Sequence, residues 1–571
     1  MFTPAIDEQR FVLEHIVGMA ELSASDRFAA ATPDLVDAVI EGVGSFAEGE
    51  CAPLARAADE VGAKWTPEGV TMPDGFAAAY RAYVEAGWGT ISAPEAFGGQ
   101  GMPYSLASVV LETLGTANMA FALCPILSVG AIEALSHHGS EAQQALYLPK
   151  LVTGEWTGTM NLTEPQAGSD VGALRARATP RPDGTWSISG TKIFISFGDH
   201  DLADNIVHLV LARTPDGPAG TKGISLFLVP KYRVAADGSP GVANDVRTVS
   251  IEHKMGLHGS PTCVLSFGDN GECVGELIGP EFGGMRAMFT MMNNARLNVG
   301  LQGVQAAEGA TQKAVAYARE RIQSARAGSG RNEPVAIIEH PDVRRMLLRM
   351  KALTQAARAL IYYAAAMVDR STLGDRAAHA RLELLTPLAK AYGTDVGCEV
   401  SNLGIQVHGG MGYIEETGAA RFFRDVRVTA IYEGTNGIQA ADLVGRKLGL
   451  EGGETLARLI ADMRAEAEDQ RLRALIDSCE AVARRLASAA VDDRLAASYP
   501  FLTMLSTAVA GWLMERQGRI AAGGDGAFLA MKRAAARFYV EQIVPEALGL
   551  EAAAMASADI LYSIGPDDFA A

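Results

Sequence analysis

Cysteine is scarce and unpatterned in this sequence of 571 residues. The six cysteines (Cys51, Cys124, Cys263, Cys273, Cys398 and Cys479) are scattered and form no CxxC pair. This argues against a disulfide framework and a thiolate zinc site, so no metal centre is expected; it fits a reducing compartment. Positive charge is short as well. With 49 Lys and Arg against 67 Asp and Glu the net charge is -18, and no basic face is on offer to a nucleic acid. The opening residues Met1 to Glu8 have neither a basic nor an apolar segment, so no secretion signal is expected. No uninterrupted apolar run reads as long enough to span a bilayer. The expected location is the cytoplasm.

The chain is too long for one hydrophobic core and should divide into three or four. Its 48% hydrophobic and 20% charged residues are ordinary for a globular protein. From about Asp7 to Tyr147, apolar residues recur at helical spacing, as at Phe11 and Ile16, Leu35 and Val39, and Phe76, Tyr80 and Val84. Gly/Pro punctuation such as Thr66-Pro67-Glu68-Gly69 separates these segments. Near Trp156 alternation replaces the helical period. Trp186–Gly190, Ile206–Leu211 and Ile224–Val229 read as strands, and Asp183-Gly184 signals a hairpin. Helix returns near Gly283, with long segments at Met285–Ala325, Pro341–Arg370 and Ala377–Leu403 that read as an antiparallel bundle. The expected fold is therefore mainly α with a central β domain. The expected domains are 1–155 (helical), 156–280 (β), 281–450 (helical bundle) and 451–571 (a further helical extension). Within the extension, Phe501–Met514 reads as a packed helix rather than a membrane-surface one, because basic residues do not crowd its polar side.

Two stretches carry chemistry. In Ile431-Tyr432-Glu433-Gly434-Thr435-Asn436-Gly437-Ile438-Gln439 a carboxylate stands between an aromatic and a glycine, just before a helix. Gly434 admits a close backbone approach. Thr435 and Asn436 can cap the helix, and a desolvated Glu433 can serve as a general base. In Met160-Asn161-Leu162-Thr163-Glu164-Pro165-Gln166-Ala167-Gly168-Ser169-Asp170, a tight turn sets hydroxyls and backbone N–H groups on one arc. Such an arc can hydrogen-bond a ring edge and a phosphate.

The order of helical, β and bundle domains, together with Thr163-Glu164-Pro165 and Ala167–Asp170, resembles the acyl-CoA dehydrogenase family of flavoproteins. Gly190–Ser196, Gln406–Tyr413, Arg424-Asp425 and Ile431–Thr435 extend the resemblance, which covers about Phe76 to Leu448. The long form, with its helical extension, resembles the 3-methylmercaptopropionyl-CoA dehydrogenase subgroup. The resemblance implies a barrel-like β domain, a four-helix bundle, FAD as cofactor and a CoA thioester as substrate. Glu433 would take the α-proton while a hydride leaves the β-carbon for the flavin, giving a trans-2-enoyl-CoA. Met160, Leu162, Thr163, Gly168 and Ser169 match the loop that holds the flavin. Phe194 and Ser196 match the strand beside it, where the family usually has Trp and Thr. Arg321, Gln406, Gly409 and Gly410 match contacts to the flavin of a neighbouring subunit, and Thr435 matches a further flavin contact. Ser169, Asn293, Arg296 and Gly434 fall on the substrate side. Ser324 stands where an aromatic is usual. His408 reads as a satisfied turn histidine.

The resemblance further implies a homodimer and an electron-transfer flavoprotein as electron acceptor. An acyl-CoA oxidase shares the fold and base and stays open as an alternative. So does the DNA-binding damage-response homologue of this fold, against which the excess of acids over bases in residues 451–571 weighs.

Overall fold

The computed structural model describes residues 2–330 and 332–571, with the backbone alone described for 290–294. It divides into two units, one of Arg27–Asn298 and one of Met1–Asp26 with Val299–Ala571. The first helices of the chain thus fold with its C-terminal half.

In the unit of Arg27–Asn298, helices Pro33–Phe46, Phe76–Glu85, Tyr104–His138 and Glu141–Thr153 precede the sheet. Their ends follow from local chemistry. Thr32 accepts a hydrogen bond from the Leu35 N–H at 3.3 Å, with Pro33 at the first helical position. Ser140 and Gln143 form a reciprocal capping box. The Thr66–Gly69 punctuation is more than a break between helices. It turns a small hairpin of β1 (Lys64–Thr66) and β2 (Gly69–Thr71). Helix Tyr104–His138 corrects the expectation about apolar runs, because it is long and apolar enough to cross a membrane. Its apolar window is 78% buried within the protein, and it is kinked at Asn118. It is a core helix in this structure.

Ten more strands follow: β3 (Trp156–Asn161), β4 (Arg177–Pro180), β5 (Trp186–Ser196), β6 (Asn205–Arg213), β7 (Ile224–Pro230), β8 (Tyr232–Val234), β9 (Pro240–Ala243), β10 (Val246–Ile251), β11 (Thr262–Phe267) and β12 (Val274–Ile278). The main sheet runs β10-β11-β5-β12-β7-β6-β3, and β4 pairs with both β5 and β6. That double pairing closes a ring of β4, β5, β12, β7 and β6, which accounts for the barrel-like character. The expected hairpin is there, with Asp183 and Gly184 between β4 and β5. Strand β6 is buried almost throughout because both its faces are covered. Val207, Leu209 and Leu211 join a core with Leu135, Leu148 and Trp156 from the helices and β3. Val210 and Ala212 join Ile188, Phe227 and Phe267 on the other side.

In the other unit, helix Gly284–Glu320, from Val299 onward, packs with Pro341–Thr372 and Arg376–His408. The long helix ends at Glu320, short of the expected Ala325. The segment Leu456–Ala490 is two helices, Glu454–Glu466 and Gln470–Ser488. Helix Ser498–Ala521 is packed as expected, with Phe501, Leu505, Val509 and Leu513 buried. Trp512 meets Tyr363 edge-on at 5.4 Å between ring centres. Buried polar groups tie the pieces together. Lys532 donates to Glu8 at 2.5 Å and to Gln517 at 2.7 Å, Gln355 donates to Glu8 at 2.8 Å, and Arg358 donates to Glu308 at 2.9 Å. Removing one member of such a cluster leaves a buried charge uncompensated.

Candidate active site

The residues singled out in the sequence fall in both units, and each group is built within its own.

In the unit of Arg27–Asn298 the loop after β3 is held by a buried ion pair. Glu164 and Lys192 are 2.8 Å apart, and both are buried. Glu164 also accepts from the N–H groups of Arg175 at 2.6 Å and Ala176 at 3.0 Å. Burial alone would raise the Glu164 carboxyl, but Lys192 and the two N–H donors outweigh it and hold it below the usual range. Burial brings Lys192 down to about 8 against the pull of Glu164. Lys192 donates to the Leu162 carbonyl at 3.1 Å, and the Ile193 N–H donates to the Thr163 carbonyl at 2.9 Å. These bonds fix the backbone of the loop and leave its outer arc free. Gly168 and Ser169 are exposed, and a Cβ at Gly168 would meet nothing within 4 Å. Met160 is packed in the core, so its side chain supports the loop from beneath. Leu162 and Thr163 are half-buried.

Phe194 lies at a bulge in β5. Cys263 pairs with Ile195 and Leu265 with Lys192, so two residues of β5 oppose Val264 alone. Phe194 has φ 61° and is 58% exposed. A left-handed backbone is costly for an aromatic residue and concentrates at functional sites. Here it turns a large apolar ring outward, with half-buried Ser196 two residues on. Arg296 is buried, and Asn293 lies outside the described residues.

In the unit of Val299–Ala571, Glu433 has φ 54° and Gly434 φ 84°. Both flanks of this turn are anchored. The Tyr432 hydroxyl donates to Gln302. Burial and the charge of Glu433 raise the Tyr432 phenol, which keeps it a donor. Gln439 donates to the carbonyl oxygens of Gly434 at 3.2 Å and Glu433 at 3.4 Å. Thr435 caps helix Asn436–Gly445 by accepting from the Ile438 N–H at 3.2 Å. Asn436 does not share the capping role. It is buried, accepting from Lys390 at 2.9 Å and donating to Thr394 at 2.9 Å and Asp395 at 2.8 Å.

Arg321 lies just past the long helix and is exposed. Its N–H donates to the Tyr317 carbonyl and its carbonyl accepts from the Ile337 N–H, while Ser324 adopts φ 54°. Gln406 is exposed at the end of helix Arg376–His408. The turn after it opens to space, with nothing within 4 Å of a Cβ at Gly409 or Gly410. His408 is buried, stacked on Tyr317 with ring centres 4.5 Å apart, and its Nδ1 is 2.7 Å from the Gly404 carbonyl. It is the satisfied turn histidine expected.

Four models of one family match in sequence order. Acyl-CoA dehydrogenase, N-terminal domain, matches residues 34–155, and the middle domain matches 159–270. The C-terminal domain matches 283–448, and acetyl-CoA dehydrogenase C-terminal like matches 453–564. The 3-methylmercaptopropionyl-CoA dehydrogenase of Ruegeria pomeroyi is 44% identical over 94% of this chain and 95% of its own. The chain belongs to the acyl-CoA dehydrogenase family. A butyryl-CoA dehydrogenase of Syntrophomonas wolfei is 38% identical over 88% of each chain. The solved structure of a Bacillus anthracis acyl-CoA dehydrogenase complexed with FAD covers 95% of this chain and 90% of its own, with a TM-score of 0.74. At 23% identity that likeness concerns the fold alone.

Sequence reasoning missed the residues that hold the site. Lys192 had a visible signal: a lysine in an alternating strand, at a buried position, needs an anionic partner. Gln302, Asp395 and Lys390 gave none, because their roles depend on how the helices pack.

Proposed function

We propose that this protein is an FAD-dependent acyl-CoA dehydrogenase that uses Glu433 as its base. The observation that carries the reading is the left-handed Glu433, anchored on both flanks at the family's base position. Some members of the family keep the base one residue before the matched arginine; that position is Ala295 here, which cannot take a proton.

The residues present fit FAD. The open arc at Gly168 and Ser169, the outward ring of Phe194 and the hydroxyl of Ser196 suit a flavin ring and its pyrophosphate. Met160, Leu162 and Thr163 belong to that set, and Thr435, in the other unit, matches the family's further flavin contact. FAD, when bound, supplies the hydride acceptor. The chain supplies the rest. The Glu433 carboxylate takes the α-proton of the thioester. The main-chain N–H of Glu433 is the donor assigned to the thioester oxygen, where negative charge develops. Ser169 and Arg296 in one unit and Gly434 in the other match the positions with which the family orients the acyl-CoA.

The substrate is proposed to be a short- or medium-chain acyl-CoA, with 3-methylmercaptopropionyl-CoA the first to try. The acceptor is proposed to be an electron-transfer flavoprotein, and the location the cytoplasm. All six cysteines are free thiols and five are buried, as suits a reducing compartment. A homodimer is proposed because Arg321, Gln406 and the open Gly409-Gly410 turn stand among exposed apolar side chains. Ile322, Met411, Tyr413 and Ile414 are 60%, 49%, 86% and 44% exposed, a surface that suits a second copy.

The test is a panel of acyl-CoAs of graded chain length, 3-methylmercaptopropionyl-CoA included, assayed with an artificial electron acceptor. Enoyl-CoA formation supports the reading, and no turnover on any member sinks it. Hydrogen peroxide made in place of a reduced electron-transfer flavoprotein would favour the oxidase.

A further inference from the structure

Residues Gly452–Ala571 add a helical region to the bundle, and one of its side chains reaches the back of the Glu433 turn. The Tyr499 hydroxyl donates to Asp395 Oδ2 at 2.7 Å. The other oxygen of that carboxylate, Oδ1, accepts from Asn436 Nδ2 at 2.8 Å. Asn436 opens the helix that follows Glu433, Gly434 and Thr435. Its carbonyl oxygen is taken by Lys390 at 2.9 Å, so its orientation is fixed from both ends. Packing is incomplete on one side of this place. A cavity of about 370 Å³ runs along it, bordered by Thr435, Gly437, Cys398 and Arg427 as well as by the three bonded residues. A non-glycine residue at φ 54° persists only where its surroundings over-determine it. With open space on this side, hydrogen bonds must supply the restraint.

We infer that Tyr499 is a positioning residue for the Glu433 turn, acting through Asp395 and Asn436. This rests on the reading of Glu433 as the base. The extension is then part of the catalytic support and does more than cover the bundle. Tyr499 aims one Asp395 oxygen, which leaves the other aimed at Asn436. A donor on one side of the carboxylate and a donor on the other select a single rotamer, and that rotamer sets the first turn of the helix behind the base.

The experiment is Tyr499→Phe, which keeps the ring and removes only the donor, made in the full-length FAD-loaded enzyme. Turnover per bound flavin should fall by about three- to tenfold, the scale of one hydrogen bond, with KM changed by less than about twofold. The kinetic isotope effect for substrate deuterated at the α-carbon should rise, because proton abstraction is the step that loses alignment. Flavin content and melting temperature should stay near wild type, and a merely structural role would move those instead. Asp395→Asn should give the same signature, and the double variant should lose less than the sum of the two. If Tyr499→Phe misfolds, Asp395→Asn carries the same test. Unchanged turnover per flavin with an unchanged isotope effect in either folded variant overturns the inference. Glu433→Gln is run alongside. Near-normal turnover there defeats the base assignment itself, whereas an inactive Glu433→Gln beside a normal Tyr499→Phe defeats only the positioning role.

Discussion

A Cβ placed on Gly303 would lie 1.8 Å from the carbonyl oxygen of Gly393. The two glycines mark where helices Gly284–Glu320 and Arg376–His408 touch backbone to backbone, with Gly300 and Gly397 continuing the contact. The crossing fixes both supports of the Glu433 turn. Gln302, which accepts from Tyr432, is next to Gly303. Lys390, Thr394 and Asp395, which bond Asn436, flank Gly393. Gly303→Ala must push the helices apart, at a cost of at least about 1–3 kcal/mol as for other overpacked cores. Turnover per bound flavin should fall as well, because both supports move. Thermal unfolding and flavin-normalised kinetics check this; wild-type values in both would contradict it.

Lys192→Met should cost the flavin. The change leaves the Glu164 carboxylate buried without its cation, a loss of about 3–5 kcal/mol for a broken buried pair. The loop carrying Leu162 and Thr163 loses its bond to Lys192 as well. The expected outcome is a lower melting temperature and sub-stoichiometric FAD. Purified variant with full FAD and an unshifted melting temperature would refute the supporting role.

Phe194→Gly separates strain from function. Glycine accepts φ 61° without the cost that Phe194 bears there, of order 1 kcal/mol or more. The exposed ring contributes little packing to the unliganded protein. Unfolding of the flavin-free variant should therefore be no easier than wild type, while FAD dissociates faster. Chemical denaturation and flavin release on dilution measure the two effects. Faster unfolding with unaltered FAD retention would reverse the account.

Acid stability should depend on Glu308. Burial would raise its carboxyl, but Lys351 and Arg358 overcome burial and hold it at about 2 in the folded protein. A carboxyl with a depressed folded value stabilises the fold fully above its unfolded value of about 4.3 and loses that contribution as pH falls from there toward the folded value. Glu308→Gln should be less stable near neutrality and should show a flatter fall in melting temperature between about pH 4.5 and pH 2. A parallel curve for variant and wild type in that window would count against it.

Much of the fold was legible because periodicity is local. The alternation in Ile206–Leu211 and the turn at Asp183-Gly184 gave strands and a hairpin. The hairpin at Lys64–Thr71 escaped because three-residue strands are too short for a period to register. The helix expected to run to Ala325 stops at Glu320, which leaves Arg321 just past it, since helix ends depend on capping as well as on composition. At the site, Glu433 and Gly168 stood out by residue type and setting. The partners that hold them did not. Asp395 and Tyr499 are 104 residues apart and meet only because two helices pack, and no local pattern encodes that meeting.

The most direct measurement is turnover per bound FAD in Glu433→Gln, which keeps the side chain's shape and removes its basicity. Turnover should fall by roughly 10²–10⁴-fold, as expected for a lost general base, with FAD still stoichiometric. Near-normal turnover in the flavin-loaded variant would contradict Glu433 as the base.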